Sequence, residues 1–131
     1  MVRPASAHPT PAELEVLKIL WRDGPSTVRQ IMDQLSGDRD RAYTSVMSLL
    51  GVMTDKRLVT RRPHGRAFLY RARVKEEKTL GRLVDDLLGR AFGGSASALV
   101  AHLLEESDPT EAELVEIRRT IEAHRRESEG R

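Results

Sequence analysis

The chain contains no cysteine among its 131 residues. That removes disulfides, thiolate metal sites and cysteine nucleophiles together, and it fits a reducing compartment. Aromatic residues make up only 4%, so aliphatic side chains must do most of the packing. Long apolar runs are missing as well. No stretch approaches the roughly 20 apolar residues that span a bilayer, and residues 1–9 lack the apolar run of a signal peptide. The expectation is a soluble cytoplasmic protein with no membrane insertion. Catalytic signatures are equally scarce. His8, His64, His102 and His124 are far apart, with none in a metal-spaced pair, and neither a Gly-rich phosphate loop nor a nucleophile elbow occurs. Asp85-Asp86 and Glu105-Glu106 are adjacent on helical segments, where neighbours point about 100° apart and do not readily share a proton. They read as solvated faces, so neither an enzyme nor a cofactor is expected.

Charge is present in quantity, and its distribution says more than its total. The net charge is +2, yet residues 1–74 hold 13 Lys and Arg against 7 Asp and Glu, whereas residues 75–131 hold 9 against 13. A basic front half beside an acidic back half suggests that only the first faces a polyanion.

In the front half, Thr10-Pro11-Ala12-Glu13 combines a capping box with proline at the first helical position, so a helix begins there. It runs through Leu14, Leu17, Leu20 and Trp21 and stops at Asp23-Gly24-Pro25. A second helix starts at Ser26 or Thr27, carries Val28, Ile31, Met32 and Leu35, and ends at Ser36-Gly37. After a polar connection over 38–41 comes a third, expected over 42–56. Its Val46, Leu49, Leu50 and Met53 recur at i, i+3, i+4 and i+7 and share a buried face. Its other side presents Thr44, Ser45 and Ser48, flanked by Met47. None of these is bulky or acidic, and hydroxyl and methyl groups of this kind suit contact with base edges and phosphates.

Two strands follow, over 58–62 and 67–71, around a turn at Pro63-His64-Gly65. Arg61, Arg62, His64 and Arg66 gather at this hairpin with no acid among them, giving a field that attracts phosphate. Helix, helix, connection, helix, hairpin is the winged helix-turn-helix order, with the third helix in the major groove and the wing along the backbone. The same topology also serves winged helices that bind only protein, so an adaptor that does not bind DNA is the alternative.

The back half reads as three amphipathic helices. The first holds Leu80, Leu83, Val84, Leu87, Leu88, Ala91 and Phe92 in a seam, has Gly81 and Gly89 inside it and ends at Gly93-Gly94. Ser95 or Ser97 caps the second, with Leu99, Val100, Leu103 and Leu104 apolar before Asp108-Pro109. Thr110 to Glu113 forms another capping box, and its helix shows Leu114, Ile117 and Ile121 on one side. These helices either cover the front domain or pair with a second copy. Pairing is favoured, because a separately charged and separately capped helical unit behind a DNA reader supplies the dimer that a two-half-site operator requires.

The motifs Thr27-Val28-Arg29-Gln30-Ile31, Ala42-Tyr43-Thr44-Ser45-Val46-Met47-Ser48-Leu49-Leu50 and Asp55-Lys56-Arg57-Leu58-Val59, with the wing ending at Tyr70, together resemble the BlaI/MecI/CopY family of bacterial repressors. The likeness runs from about Thr10 to the final helix. It implies a mainly α protein with a small β-hairpin: an N-terminal arm over 1–9 expected to be disordered, a winged helix-turn-helix DNA-binding domain over 10–74 and a helical dimerisation domain over 75–128. It further implies a homodimer on an inverted-repeat operator and, in relatives that control β-lactamase resistance, a membrane sensor protease as partner. Candidate DNA-binding residues are Thr27, Arg41, Tyr43, Thr44, Ser45, Met47, Ser48, Arg61, Arg62, His64 and Arg66. Candidate dimerisation residues are Leu83, Leu87, Leu88, Leu99, Leu103, Leu114, Ile117 and Ile121. The chain departs from the family pattern at Val52, where relatives often carry Arg, and at Arg57, where they often carry Gly. The family's cleaved Asn-Phe bond falls at His102-Leu103, and with no cysteine the copper-responsive branch is excluded.

Overall fold

The computed structural model describes residues 8–35 and 43–130. The expected arm over 1–9 falls mostly outside them, as do the connection over 38–41 and Arg41 of the candidate set. The elements are α1 (Pro11–Asp23), α2 (Val28–Gln34), α3 (Tyr43–Asp55), β1 (Val59–His64), β2 (Ala67–Ala72), α4 (Glu76–Phe92), α5 (Ala96–Ser107) and α6 (Glu111–Glu129). This is the mainly α architecture with one antiparallel hairpin that the hydrophobic periodicities predict. Two compact units are present, and the division falls inside α4, after Asp85.

Local chemistry sets the helix ends. Thr10 closes a full capping box on α1, its hydroxyl accepting from Glu13 N–H while the Glu13 carboxylate accepts from Thr10 N–H. Thr27 does the same for α2 with Gln30. Ser26, the other candidate cap, has a different task. It forms an antiparallel bridge with Tyr70, each residue's N–H donating to the other's carbonyl at 2.9 and 2.8 Å. The start of α2 is thereby tied to the wing. At the far end of α3, Arg57 N–H donates to Thr54 O and Leu58 N–H to Met53 O, and Arg57 takes φ 65°. That is a Schellman ending with a non-glycine residue in the left-handed position.

The wing turn is tighter than the sequence suggests. Pro63 lies inside β1, opposite Phe68, and the strands close at His64↔Ala67 with Gly65 and Arg66 between them. Gly65 has φ 63° and Arg66 does not have positive φ, the pattern of a two-residue II′ turn. Pro63 is tolerated because a two-stranded ribbon leaves one edge of each strand unpaired, and a proline with no N–H can face that edge.

Val16, Leu17, Leu20, Ile31, Val46, Leu50, Met53, Val59 and Tyr70 form the centre of the first unit's core. Trp21, half-buried, packs against it and donates from Nε1 to Val74 O at 2.9 Å. Glu13, placed by its capping role, is buried and also receives Lys56 Nζ at 2.7 Å, joining the start of α1 to the end of α3. Burial pushes its carboxyl up, but the Lys56 ammonium and the Thr10 hydrogen bonds outweigh that and hold it below the ordinary value of 4.5.

The second unit has well-made helix ends. Gly93 and Gly94 take positive φ after α4, Ser95 rather than Ser97 caps α5, Asp108 ends it in a left-handed conformation, and Thr110 closes a capping box on α6. Phe92 and His102 meet edge to face at 5.6 Å. No described residue from 86 onward is buried, however. Among the described residues no single helix is long and apolar enough to cross a membrane, and no group of acids and histidines could hold a metal ion.

Candidate nucleic-acid interface

The core seam of α3 decides which side of it meets solvent. With Val46, Leu50 and Met53 buried and Leu49 half-buried, the opposite stripe of Thr44, Ser45 and Ser48 is exposed. Met47 sits on the flank, packed partly against the core. Neither arginine nor lysine stands on α3, and its single acid, Asp55, is the last residue. The helix therefore offers a neutral, short-side-chain surface suited to close approach.

Cationic charge lies on the wing instead. Residues 56–74 contain seven Lys and Arg and no Asp or Glu. The strand register separates these groups onto different faces. Arg61 shares a face with Tyr70, Pro63 and Phe68, and its guanidinium lies 4.3 Å from the centre of the Phe68 ring and 3.5 Å from the Tyr70 hydroxyl. Arg62 and His64 are on the other face with Thr60 and Arg71, and Arg66 occupies the turn. Arg61, Arg62, His64 and Arg66 of the hairpin thus present two surfaces and a tip. Stacking on Phe68 holds Arg61 in a fixed geometry, which reduces the entropy lost when a charged side chain meets a phosphate.

A cleft of about 520 Å³ opens between the start of α2, the start of α3 and the wing. Thr27, Tyr43, Met47 and Arg66, four of the sequence candidates, line it together with Val28, Arg29, Ala67 and Phe68. Arg29 and Phe68 were missed by the sequence reading. Arg29 looks like an ordinary solvated charge on α2, and Phe68 like a strand residue of no particular orientation. For Phe68 the basic, aromatic-containing composition of residues 61–71 was the available signal. A second cleft of about 310 Å³ is lined by Pro25, Thr60, Arg61, Arg62, Leu69 and Arg71 along the wing. Thr44, Ser45 and Ser48 line neither and stand on the open face of α3.

A family model described as penicillinase repressor matches residues 9–123. The chain belongs to the penicillinase repressor family. That is the BlaI/MecI family, whose members are transcriptional repressors and not enzymes. The transcriptional regulator BlaI of Mycobacterium tuberculosis is 37% identical over 103 residues, covering 77% of this chain and 75% of the relative. The penicillinase repressor of Bacillus licheniformis is 23% identical over 87% of this chain and 89% of its own length. The methicillin resistance regulatory protein MecI of Mammaliicoccus sciuri is 22% identical over 84% and 89%. Among solved structures, a transcriptional regulator of Thermotoga maritima superposes with a TM-score of 0.52 at 14% identity, covering 93% of this chain and 80% of that one. This likeness carries the fold. Within the penicillinase repressor family, the α1–α2–α3–wing order is a winged helix-turn-helix.

Proposed function

We propose that the protein is a homodimeric cytoplasmic repressor that binds double-stranded DNA at an inverted repeat, with α3 in the major groove and the wing along the backbone. The observation that carries this reading is the cleft in which Thr27, Tyr43, Met47 and Arg66 meet Arg29 and Phe68. Two guanidinium groups, two aromatic rings and a threonine around a groove beside a neutral helix face suit a sugar–phosphate strand at the edge of the major groove. In this reading Thr44, Ser45 and Ser48 read bases, while Arg41, Arg61, Arg62, His64 and Arg66 hold phosphates.

The division of labour runs between residues 10–74, which bind DNA, and residues 75–128, which dimerise. Support for the second assignment is apolar surface without cover: Leu87, Leu103, Leu114 and Ile121 are exposed, and Leu83, Leu88, Leu99 and Ile117 only half-buried. A second copy offers the same apolar stripes and generates the two-fold symmetry that two half-sites need. A membrane sensor protease is the partner implied by the family. Induction by cleavage at the family position would require attack at His102-Leu103, both exposed but inside α5, so the helix must open first.

Binding to duplexes from the gene's own upstream region, titrated across salt concentrations, tests the reading against the adaptor alternative. Affinity should fall steeply with salt as phosphate contacts release counterions. Arg66→Ala should weaken all duplexes similarly and lower the salt slope by about 1, whereas Thr44→Ala should alter sequence preference. Undetectable binding at low salt would favour the adaptor.

A further inference from the structure

Among the described residues up to Val74, three large hydrophobic side chains are exposed: Tyr43, Val52 and Phe68. All three stand on α3 or the wing. Tyr43 and Phe68 line the cleft described above, but Val52 does not, and it is 50% exposed. Ser45, Ser48 and Val52 follow one another at i, i+3 and i+7, so they share the stripe opposite the Val46–Leu50–Met53 seam. A β-branched residue here is unfavourable for the helix and leaves apolar surface in water. The major groove contains one apolar group, the thymine C5-methyl. From Ser45 to Val52 the helix rises about 10 Å, close to three base-pair steps. Asp55, one turn further on, carries a charge that phosphates repel, which ends the DNA-facing part of the stripe at Val52.

We infer that Val52 is a specificity-determining residue that reads a thymine in each half-site by packing its methyl groups against the thymine methyl. This rests on the DNA-binding reading and adds to it a named base at a named side chain. Ser45 and Ser48 supply the polar contacts on the same stripe, so Val52 adds discrimination where hydroxyl groups are tolerant.

The test uses the full-length protein and the tightest duplex recovered from a randomised pool. Each thymine in a half-site is replaced in turn by deoxyuridine, which deletes the methyl and nothing else. Wild type should lose roughly fourfold in affinity at one or two positions, the scale of one buried methyl group. The Val52→Ala variant should bind the thymine duplex roughly fourfold more weakly and be indifferent to deoxyuridine at those positions. Val52→Arg should move the selected base there toward guanine. Circular dichroism reports whether each variant keeps its helices. Equal deoxyuridine sensitivity in wild type and Val52→Ala, or none in either on a duplex bound tightly, overturns the inference while leaving DNA binding intact. Failure to recover any duplex overturns both together.

Discussion

The two units of this chain solve the same problem differently. In the first, aliphatic side chains from three helices and the wing enclose one another, with Leu17, Ile31, Leu50 and Met53 at zero exposure. The end of α4 and two N-capped helices, α5 and α6, make up the second, yet Val100, Leu103, Leu114, Val115 and Ile121 remain between 38% and 53% exposed. Good caps and helical periodicity form helices; they do not make a core. A helix as short as α5, 12 residues, is marginal in water without tertiary burial, so it needs apolar cover to persist. The difference teaches that the first unit encloses its own apolar side chains, whereas the second leaves apolar faces without cover, which is the surface the proposed dimer would use.

A charge placed in the second unit breaks that comparison most directly. An exposed leucine on a finished monomer surface tolerates glutamate within about 0.5 kcal/mol. If Leu103 and Ile121 instead lie between two copies, Leu103→Glu with Ile121→Glu should convert dimer to monomer in light scattering. It should also weaken operator binding on the order of 100-fold, because the second half-site is no longer held at high effective concentration. A variant that stays dimeric with unchanged affinity would show that these side chains face water. The matching test in the first unit is Lys56→Met. It leaves the Glu13 carboxylate buried with only the Thr10 donors, and should cost about 2 kcal/mol in denaturant unfolding. Glu13 is held below 4.5 in the folded state, so its contribution is fully present above that value and is lost as pH falls through the lower folded one. In Lys56→Met the carboxyl is no longer held down by the ammonium, so Glu13's share of the acid loss should shrink or disappear.

Features set by neighbours along the chain were legible in advance. The capping boxes at Thr10 and Thr110 are four-residue patterns, and the α3 seam is a period, so the exposed stripe of Thr44, Ser45 and Ser48 follows without tertiary knowledge. What was not legible depends on segments far apart in sequence. Glu13 reads as a cap residue alone, and only the tertiary fold around the shared core brings Lys56, 43 residues away, to its carboxylate. Ser26 gave no sign of its bridge to Tyr70. The same bridge draws Arg29 toward Phe68, which is why the cleft's lining was half seen. In the second unit the apolar seams were readable, but a periodicity says which face is apolar and not what covers it.

Arg57 gives the smallest and most discriminating effect. Its φ of 65° places an L side chain in a conformation that costs about 1 kcal/mol, and it does so where the Schellman ending hands α3 over to the wing. Glycine would remove that strain, offset in part by the greater freedom it gives the unfolded chain. Arg57→Gly should therefore raise the stability of the first unit by up to about 1 kcal/mol, read as a rise in Tm of a few degrees. Because that unit's core is complete within one chain, the rise should be the same at every protein concentration. Any unfolding step that depends on the second unit should shift with concentration, as dimer stability must. A gain from Arg57→Gly that grows or vanishes on dilution would mean that the two units unfold as one. A loss of stability would mean that the guanidinium makes a contact worth more than the strain its backbone carries.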